Sequence, residues 1–338
     1  MQAFEKAPPD VQELLSKPIK ELGLKLEGSH LERYVHRLYR ELEHKGLKKF
    51  RPLCYLTDEW GCPSGEPVIG IPFYLADPKL ARLEKAMNDI EDEREIMMYL
   101  RHEAGHAFNY AYELYKTPEW RDCFGPFRRP YRDNYRPIPF SRAFVRHIAG
   151  WYAQKHPDED FAETFAVWLT PRSNWRKRYE GWPALKKLEY VDELMTELAG
   201  RRPLRIPRLN VDPLSKLNQT LAQHYEKKRA HYAAGHPATY DRDLLRIFSN
   251  DPHHRNAAAA SSFLRKHRAR IRQVVSKWTG EYQLTLDAVF DDMIGRCREL
   301  KLRAVGSQRQ LRMEFIVLLT AKTVHSLYSP SRRQWVAL

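Results

Sequence analysis

The sequence contains few cysteines, and no two of them stand in a metal-binding spacing. Four cysteines are scattered over 338 residues without a CxxC pair. Their scarcity excludes a disulfide framework, and the missing pair excludes a cysteine-rich zinc module. Reduced thiols of this kind are typical of the cytoplasm, which is where we expect the protein to function.

Long apolar runs are also missing. The stretch FIVLLTA (315–321) is far shorter than the roughly 20 residues that cross a bilayer, so we predict no membrane span. The first residues, MQAFEKAPPDVQELL, lack a basic segment followed by an apolar one, so we expect no secretory signal. With 43% hydrophobic and 30% charged residues, the composition also excludes a disordered chain.

Positive charge is distributed unevenly along the chain. The net charge of +14 arises from −1 over residues 1–200 and +15 over residues 201–338. A chain of this length is expected to form two domains. The asymmetry therefore predicts a boundary near residue 200 and a basic second domain with an anionic partner, such as nucleic acid.

The predicted elements also differ between the two parts. In the first, strand-like segments RPLCYLT (51–57) and PVIGIPFYL (67–75) precede a helix from about Asn88 to Tyr115, and residues 117–141 are predicted to form a loop. In the second, helical patterns dominate, over 213–233, 260–278, 281–304 and 307–328. The fold class predicted from these patterns is α+β, with a small sheet and helices followed by a mostly α-helical basic domain.

The stretch RHEAGHAFNY (101–110) contains an HExxH motif. Residues at i and i+4 lie on the same face of a helix, so His102 and His106 can bind one Zn²⁺ ion. Glu103 lies one step round the helix and can accept a proton from a zinc-bound water, as the general base of peptide hydrolysis. A structural histidine pair would show the same five letters, so the motif alone leaves both interpretations open.

A catalytic zinc ion needs three protein ligands and one open position. The metzincin pattern is excluded, because it requires a glycine and a histidine where this chain has Asn109 and Tyr112. The alternative is a carboxylate from a second helix, and Glu159 and Glu163 lie one turn apart. One of them can bind the metal while the other hydrogen-bonds to a ligand histidine.

These two acidic positions also have a simpler interpretation. Asp158, Glu159 and Asp160 are typical first-turn carboxylates of a solvated helix that begins at Pro157. The apolar residues that follow argue against it, since a carboxylate at 163 inside such a run requires a buried cationic or metal partner.

The two motifs together resemble the gluzincin metallopeptidases. RHEAGHAFNY, WRDCFGPF (120–127) and YAQKHPDEDFAETFAVWL (152–169) are similar to segments of the bacterial family described as putative zinc-binding metallopeptidases. The ExFAE arrangement also resembles that of the lethal-factor-like toxins. The resemblance covers roughly residues 15–200. It implies a zincin-like domain and a zinc-dependent peptidase that acts on peptides or proteins.

Carried over position by position, the resemblance implies one zinc ion per chain with His102, His106 and Glu159 as ligands. It also implies Glu103 as general base and Glu163 as the carboxylate that hydrogen-bonds to a ligand histidine. The exchanged roles, with Glu163 as ligand and Glu159 as the outer group, stay open.

A tyrosine of this family stabilises the developing oxyanion, and Tyr152 matches its position. An ordinary tyrosine on an amphipathic helix is the alternative. His147, Tyr131 and Tyr135 are further candidates for the same role.

Zincins place an edge strand above the metal helix, where the substrate adds as a further strand, and the resemblance assigns 67–75 to this role. A buried sheet strand is the alternative. Members of the family often carry an N-terminal zinc ribbon, which the cysteine spacing excludes here. Gly105 costs its helix about 1 kcal/mol relative to alanine, so we expect another element to pack closely against the helix there.

The basic part supports a second class of function. SSFLRKHRARIRQVVSKWTG (261–280) predicts a helix with one apolar face, which includes Trp278, and a basic outer surface. RRPLRIPR (201–208) is either a linker or a further contact. The alternative to a peptidase is a nucleic-acid- or partner-binding protein with a structural or vestigial zinc site. Glu103 discriminates between them, because a structural site has no need of a general base.

Overall fold

The computed structural model describes residues 9–87, 90–131, 135, 137–138, 140–148, 151–207, 213–233, 240–281 and 283–328. These residues divide into two compact units, one formed by 9–83 and 90–221, the other by 84–87 and 222–328. The chain passes from the first unit to the second after Leu221. The charge distribution alone places this boundary near residue 200. No helix in the described ranges is long and apolar enough to cross a membrane.

The first unit combines helices with a small sheet. Its strands are β1 (Leu53–Thr57) and β2 (Val68–Pro72). Its α-helices are α1 (Pro9–Ser16), α2 (Glu32–His44), α3 (Pro78–Met87, whose residues from Glu84 onward belong to the second unit), α4 (Glu93–Ala111), α5 (Pro118–Phe124), α6 (Pro157–Leu169), α7 (Trp175–Arg178) and α8 (Ala184–Leu198). The α+β class is confirmed for the described residues, and the zincin-like topology stays a prediction. Helix α5 lies in the segment predicted as a loop, because Thr117 caps it and Pro118 starts it.

The sheet is parallel, and β2 is bonded along both edges. Its residues pair with β1 in the register Leu53↔Val68 to Thr57↔Pro72. On its other edge, the N–H of Gly70 donates to the carbonyl of Gly61 at 2.8 Å, and that of Gly61 returns to Gly70 at 3.4 Å. All of β2 is buried. The buried-strand interpretation therefore agrees with the structure better than a free substrate-binding edge does.

Helices α4 and α6 pack against each other at Gly105. A Cβ atom added to this glycine would lie 2.8 Å from the Cα atom and 3.0 Å from the carbonyl oxygen of Ala162. The obstructing atoms are helix backbone, which cannot rotate aside as a side chain can. The close packing expected from the unfavourable helix propensity of Gly105 is confirmed, and its partner is α6.

We expect Gly105→Ala to destabilise the first unit and to weaken zinc binding. Alanine gains about 1 kcal/mol of helix propensity. Overpacking, however, costs about 1–3 kcal/mol, and any separation of α4 from α6 moves the histidines away from the carboxylates. The free energy of unfolding and the zinc affinity measure the effect.

Gly295 provides a matched control, since it lies in a helix and an added Cβ there meets no atom within 4 Å. Gly295→Ala is expected to leave zinc affinity unchanged and not to destabilise the protein. Gly105→Ala protein with the stability and zinc affinity of the wild type would contradict the close approach.

The second unit is helical throughout its described residues. Its helices are α9 (Leu221–Ala233), which begins at the boundary, α10 (Asp241–Ile247), α11 (Ala260–Thr279), α12 (Gln283–Glu299) and α13 (Gln308–Tyr328). Helices α10 to α13 enclose one apolar core, whose fully buried members include Leu244, Leu264, Ile271, Val275, Leu286, Phe290, Met293, Phe315 and Leu319. This core is large enough for the unit to have an interior of its own.

Helix α11 has the two faces that were predicted, with one exception. Phe263, Leu264, Ile271 and Val275 are buried, but Trp278 is 75% exposed and lies outside the apolar face. Arg268 and Arg272 form ion pairs with Asp287 of α12. Other cations of the helix are exposed to solvent, namely Arg265, Lys266, Arg270 and Lys277.

Candidate metal centre

Two buried helices carry all of the candidate ligands. Helix α4 begins with a capping box, in which the Asp92 carboxylate accepts the N–H of Glu95 and the Glu95 carboxylate accepts the N–H of Asp92. Helix α6 begins with Pro157 at its first position, and the His156 ring accepts the N–H of Asp158 at 3.1 Å. These local signals fix the residue at which each helix starts. The start in turn determines which side chains of each helix face the other helix.

Three donor atoms converge between the two helices. Nε2 of His102 lies 3.1 Å from Nε2 of His106 and 3.0 Å from Oε2 of Glu159, and Nε2 of His106 lies 3.1 Å from the same oxygen. Ligands of a tetrahedral zinc ion, each about 2.0–2.1 Å from the metal, stand roughly 3.3 Å apart. A nearly equilateral triangle of this size can hold one such ion, and these three residues are the metal-binding candidate of the described chain.

The charges at this cluster require a cation. Burial alone lowers the pKa of His102, but the carboxylates of Glu159 and Glu163 outweigh it and raise the pKa to about 9. For His106, burial is likewise outweighed by Asp158 and Glu159, which raise its pKa well above the usual range. The carboxylates that stabilise a positively charged imidazole here would stabilise a metal cation in the same way. Two imidazoles and one carboxylate are a donor set that fits zinc.

Glu163 orients His102 from the side away from the three donor atoms. Nδ1 of His102 lies 2.9 Å from Oε1 of Glu163. The other oxygen of Glu163 accepts the backbone N–H groups of His147 at 3.2 Å and Ile148 at 2.9 Å. An ionised carboxylate can only accept, so Nδ1 carries the hydrogen and Nε2 presents its lone pair to the metal position.

Asp158 lies beside His106 on the side away from the metal position, and sequence reasoning missed this contact. Its Oδ2 lies 3.0 Å from Nδ1 of His106. Asn109 donates to Oδ1 of Asp158 at 2.7 Å, and the Tyr110 hydroxyl donates to Oδ2. No spacing rule connects Asp158 to the histidine motif, and its place in a first helical turn suggested a solvated carboxylate instead.

The solvated helix start is wrong for α6. Asp158, Glu159 and Asp160 are at most 5% exposed. Each contacts a side chain of another element, and the partner of Asp160 is the half-buried Lys187 of α8 at 2.5 Å. The first turn of α6 is therefore a set of interior contacts rather than a surface acidic cluster.

Glu103 is the buried group that the other side chains leave unsatisfied. It is 0% exposed, and neither carboxylate oxygen has a hydrogen-bond partner among the described residues. Burial raises the pKa of Glu103, while His102 and His106 lower it and Glu159 and Asp158 raise it further. A buried carboxylate with two unused acceptor positions is suited to bind a water molecule and take its proton.

Two tyrosines and a lysine adjoin the third ligand. The Tyr131 hydroxyl donates to Oε1 of Glu159 at 2.5 Å and lies 3.3 Å from the Tyr152 hydroxyl. Lys155 is buried and donates to the Tyr152 hydroxyl at 3.3 Å. Tyr152 is fully buried, whereas Tyr131 is 48% exposed. Tyr131 therefore links the buried carboxylate to the surface.

The other two oxyanion candidates lie differently. The His147 ring hydrogen-bonds to the carbonyl of Met98 at 3.0 Å, so its contribution to the site is the backbone N–H on Glu163. The Tyr135 ring lies 6.5 Å from that of Tyr152. The hydroxyls of Tyr131 and Tyr152 join a hydrogen-bonded chain that ends on Glu159.

The connection between β1 and β2 borders the same site. Burial first, and then the nearby charges of Glu103 and Asp158, raise the pKa of the Cys62 thiol well above its usual range. The thiol donates to the carbonyl of Glu66 at 3.2 Å. The donor atoms that converge belong to His102, His106 and Glu159, so Cys62 forms part of the wall rather than of the ligand set.

Comparison with known proteins gives one result for this chain. Searches of the curated proteins and of the solved structures found no match. The model of one family, "Putative zinc-binding metallo-peptidase", matches residues 66–177. This range begins just before β2 and contains both α4 and α6, and with them all of the residues that form the cluster. The match confirms, over residues 66–177, the resemblance to the putative zinc-binding metallopeptidase family that the two motifs predicted.

Proposed function

We propose that the protein is a zinc-dependent peptidase of gluzincin type, with His102, His106 and Glu159 as ligands and Glu103 as general base. The observation that carries this proposal is the Glu103 carboxylate, which is buried without a protein partner beside three convergent donor atoms. A structural zinc site needs ligands and the groups that orient them, but it gains nothing from a desolvated free carboxylate. The family match supports the same class of activity.

The mechanism assigns one task to each buried group. A zinc ion on the three ligands would lower the pKa of a bound water towards neutrality and polarise the scissile carbonyl. Glu103 accepts the proton of the attacking water on its free carboxylate and then delivers it to the leaving amine. Burial raises the pKa of Glu103, which makes its carboxylate a stronger proton acceptor.

The oxyanion is stabilised by a phenol. We assign this role to Tyr152, whose hydroxyl oxygen accepts from Lys155 and lies beside the hydroxyl of Tyr131. A cation behind the phenol makes its O–H a better donor to developing negative charge. Tyr131, which already donates to Glu159, positions that carboxylate.

The peptidase assignment belongs to the first unit, in line with the metallopeptidase domain predicted over 1–200. The basic remainder, predicted as an accessory domain over 201–338, supports the second candidate function, a nucleic-acid- or partner-binding protein with a structural or vestigial zinc site. Exposed cations on α11 and the exposed Trp278 favour it, since phosphate contact and base stacking use such side chains. The two functions can combine in one chain.

Metal analysis together with peptide hydrolysis tests the proposal. We expect about one zinc ion per purified chain, loss of hydrolysis of a peptide library after chelation, and recovery when zinc is restored. Protein that binds no zinc would contradict the metal site. Zinc-loaded protein that cleaves no peptide or protein would favour the second candidate.

A further inference from the structure

The segment RRPLRIP (201–207) is anchored to the first unit rather than acting as a free linker. The backbone N–H groups of Leu204 and Arg205 donate to the carbonyl of Ala111, the last residue of α4, at 2.9 and 3.0 Å. The Arg205 guanidinium donates to the carbonyl of Gly65 at 2.7 Å and pairs with Glu113 at 3.1 Å. The end of the metal-binding helix and the loop before β2 therefore hold this segment in place.

A groove of about 430 Å³ lies between the segment and residues 48–52. Its walls are proline and aliphatic side chains together with Phe50 and Ala111. Among the described residues that line it, five are cations and none is acidic: Lys48, Lys49, Arg51, Arg202 and Arg205. An apolar groove with a basic border fits a ligand that is acidic and partly apolar.

The positive charge of the groove is only partly neutralised. Arg51 pairs with Glu43 and Arg205 with Glu113. Lys48, Lys49 and Arg202 are exposed and have no ion-pair partner among the described residues. Lys48, Lys49 and Arg51 lie within residues 1–200, which carry a net charge of −1, so the cations of 48–51 are a local excess of positive charge there. Such a local excess attracts anions over about a Debye length.

The groove adjoins the end of the helix that carries the two histidines. Ala111 follows His106 by five positions in α4, a rise of about 7.5 Å. Leu204 is 72% and Ile206 81% exposed, so apolar side chains stand beside the cations. An extended chain with alternating acidic and apolar side chains would contact both the cations and the apolar side chains of the groove. Nucleic acid fits less well, since Phe50 is 2% exposed and offers no stacking surface.

We propose that this groove binds an acidic stretch of the protein substrate and delivers the adjoining peptide bond to the metal centre. The inference rests on the proposed peptidase function for the delivery step, but binding itself does not require catalysis. Substrate specificity then depends on acidic residues beside the scissile bond.

The test is a binding measurement on inactive protein followed by a kinetic one. In a Glu103→Gln background, a labelled peptide of alternating glutamate and alanine should bind with salt-dependent affinity, and its glutamine counterpart should bind weakly. Combined reversal of Lys48→Glu, Lys49→Glu and Arg202→Glu should weaken binding at least roughly tenfold. In active protein the same triple change should raise KM for acidic substrates and leave kcat unaltered.

A matched control removes the same charge elsewhere in the unit. Lys20, Lys25 and Arg121 are exposed, and their combined reversal to glutamate should leave peptide binding near the wild-type value. If both triple variants lose peptide binding equally, net charge alone explains the binding, and the groove is not the binding site. Binding of a single-stranded oligonucleotide that depends on the groove cations, without binding of the acidic peptide, would overturn the peptide assignment. If the active protein binds the peptide but cleaves nothing, the groove proposal stands and the proposed peptidase function is wrong.

Discussion

Glu103→Gln is expected to lower kcat for peptide hydrolysis by roughly 10²–10⁴-fold while the protein keeps its zinc ion. The substitution preserves the size of the side chain and removes the base. The Glu103 carboxylate accepts no hydrogen bond from a described residue, so its loss breaks no contact of the fold. Removing a buried charge without a partner should also leave the protein as stable as the wild type or more so.

Three measurements on the same preparation separate the interpretations. Zinc content should stay at the wild-type level, thermal stability should not fall, and hydrolysis should be lost. Undiminished hydrolysis would exclude Glu103 as the general base. Loss of zinc would show instead that Glu103 acts as a ligand or supports one.

Glu159→Gln and Glu163→Gln should affect the metal to different degrees. Glu159 places an oxygen within 3.0–3.1 Å of both imidazole nitrogens that face the metal position, so its substitution removes a ligand and should abolish stoichiometric zinc binding. Glu163 contacts the opposite nitrogen of His102, so its substitution should weaken zinc affinity by roughly 10–100-fold.

The comparison resolves the exchange of roles that the sequence leaves open. Both variants should be compared with Glu180→Gln, which changes an exposed glutamate of the same unit and should bind zinc normally. A variant of Glu159 that retains stoichiometric zinc, together with a variant of Glu163 that loses it, would assign the third ligand to Glu163. Competition with a zinc indicator gives the affinities directly.

The parts of the site that could be predicted depend on local geometry. The turn spacing of a helix places His102 and His106 on one face, and the same spacing relates Glu159 to Glu163. The unfavourable propensity of Gly105 predicted a close neighbour, which Ala162 provides. Each of these statements uses residues within a few positions of one another, where backbone conformation alone sets the distance.

The parts that could not be predicted depend on contacts between distant residues. Asp158 has the sequence features of a first-turn carboxylate, and its approach to His106 exists because α6 crosses α4 there. Tyr131 lies in a segment without periodicity, yet its hydroxyl reaches Glu159. Trp278 follows the apolar pattern of α11 but is exposed, and the pattern alone gives no sign of it.

The sequence by itself therefore determined which groups this protein has available: two imidazoles, the glutamate proposed as general base, and a pair of carboxylates, on two helices. Tertiary structure decided which carboxylate faces the metal position, which acids orient the histidines, and where the arginines of 201–207 meet the lysines of 48–49. The physical reason is that helical periodicity fixes the face of a side chain within its own helix. Its partners across the interface are set by the packing of α4 against α6, which close approach at Gly105 makes possible.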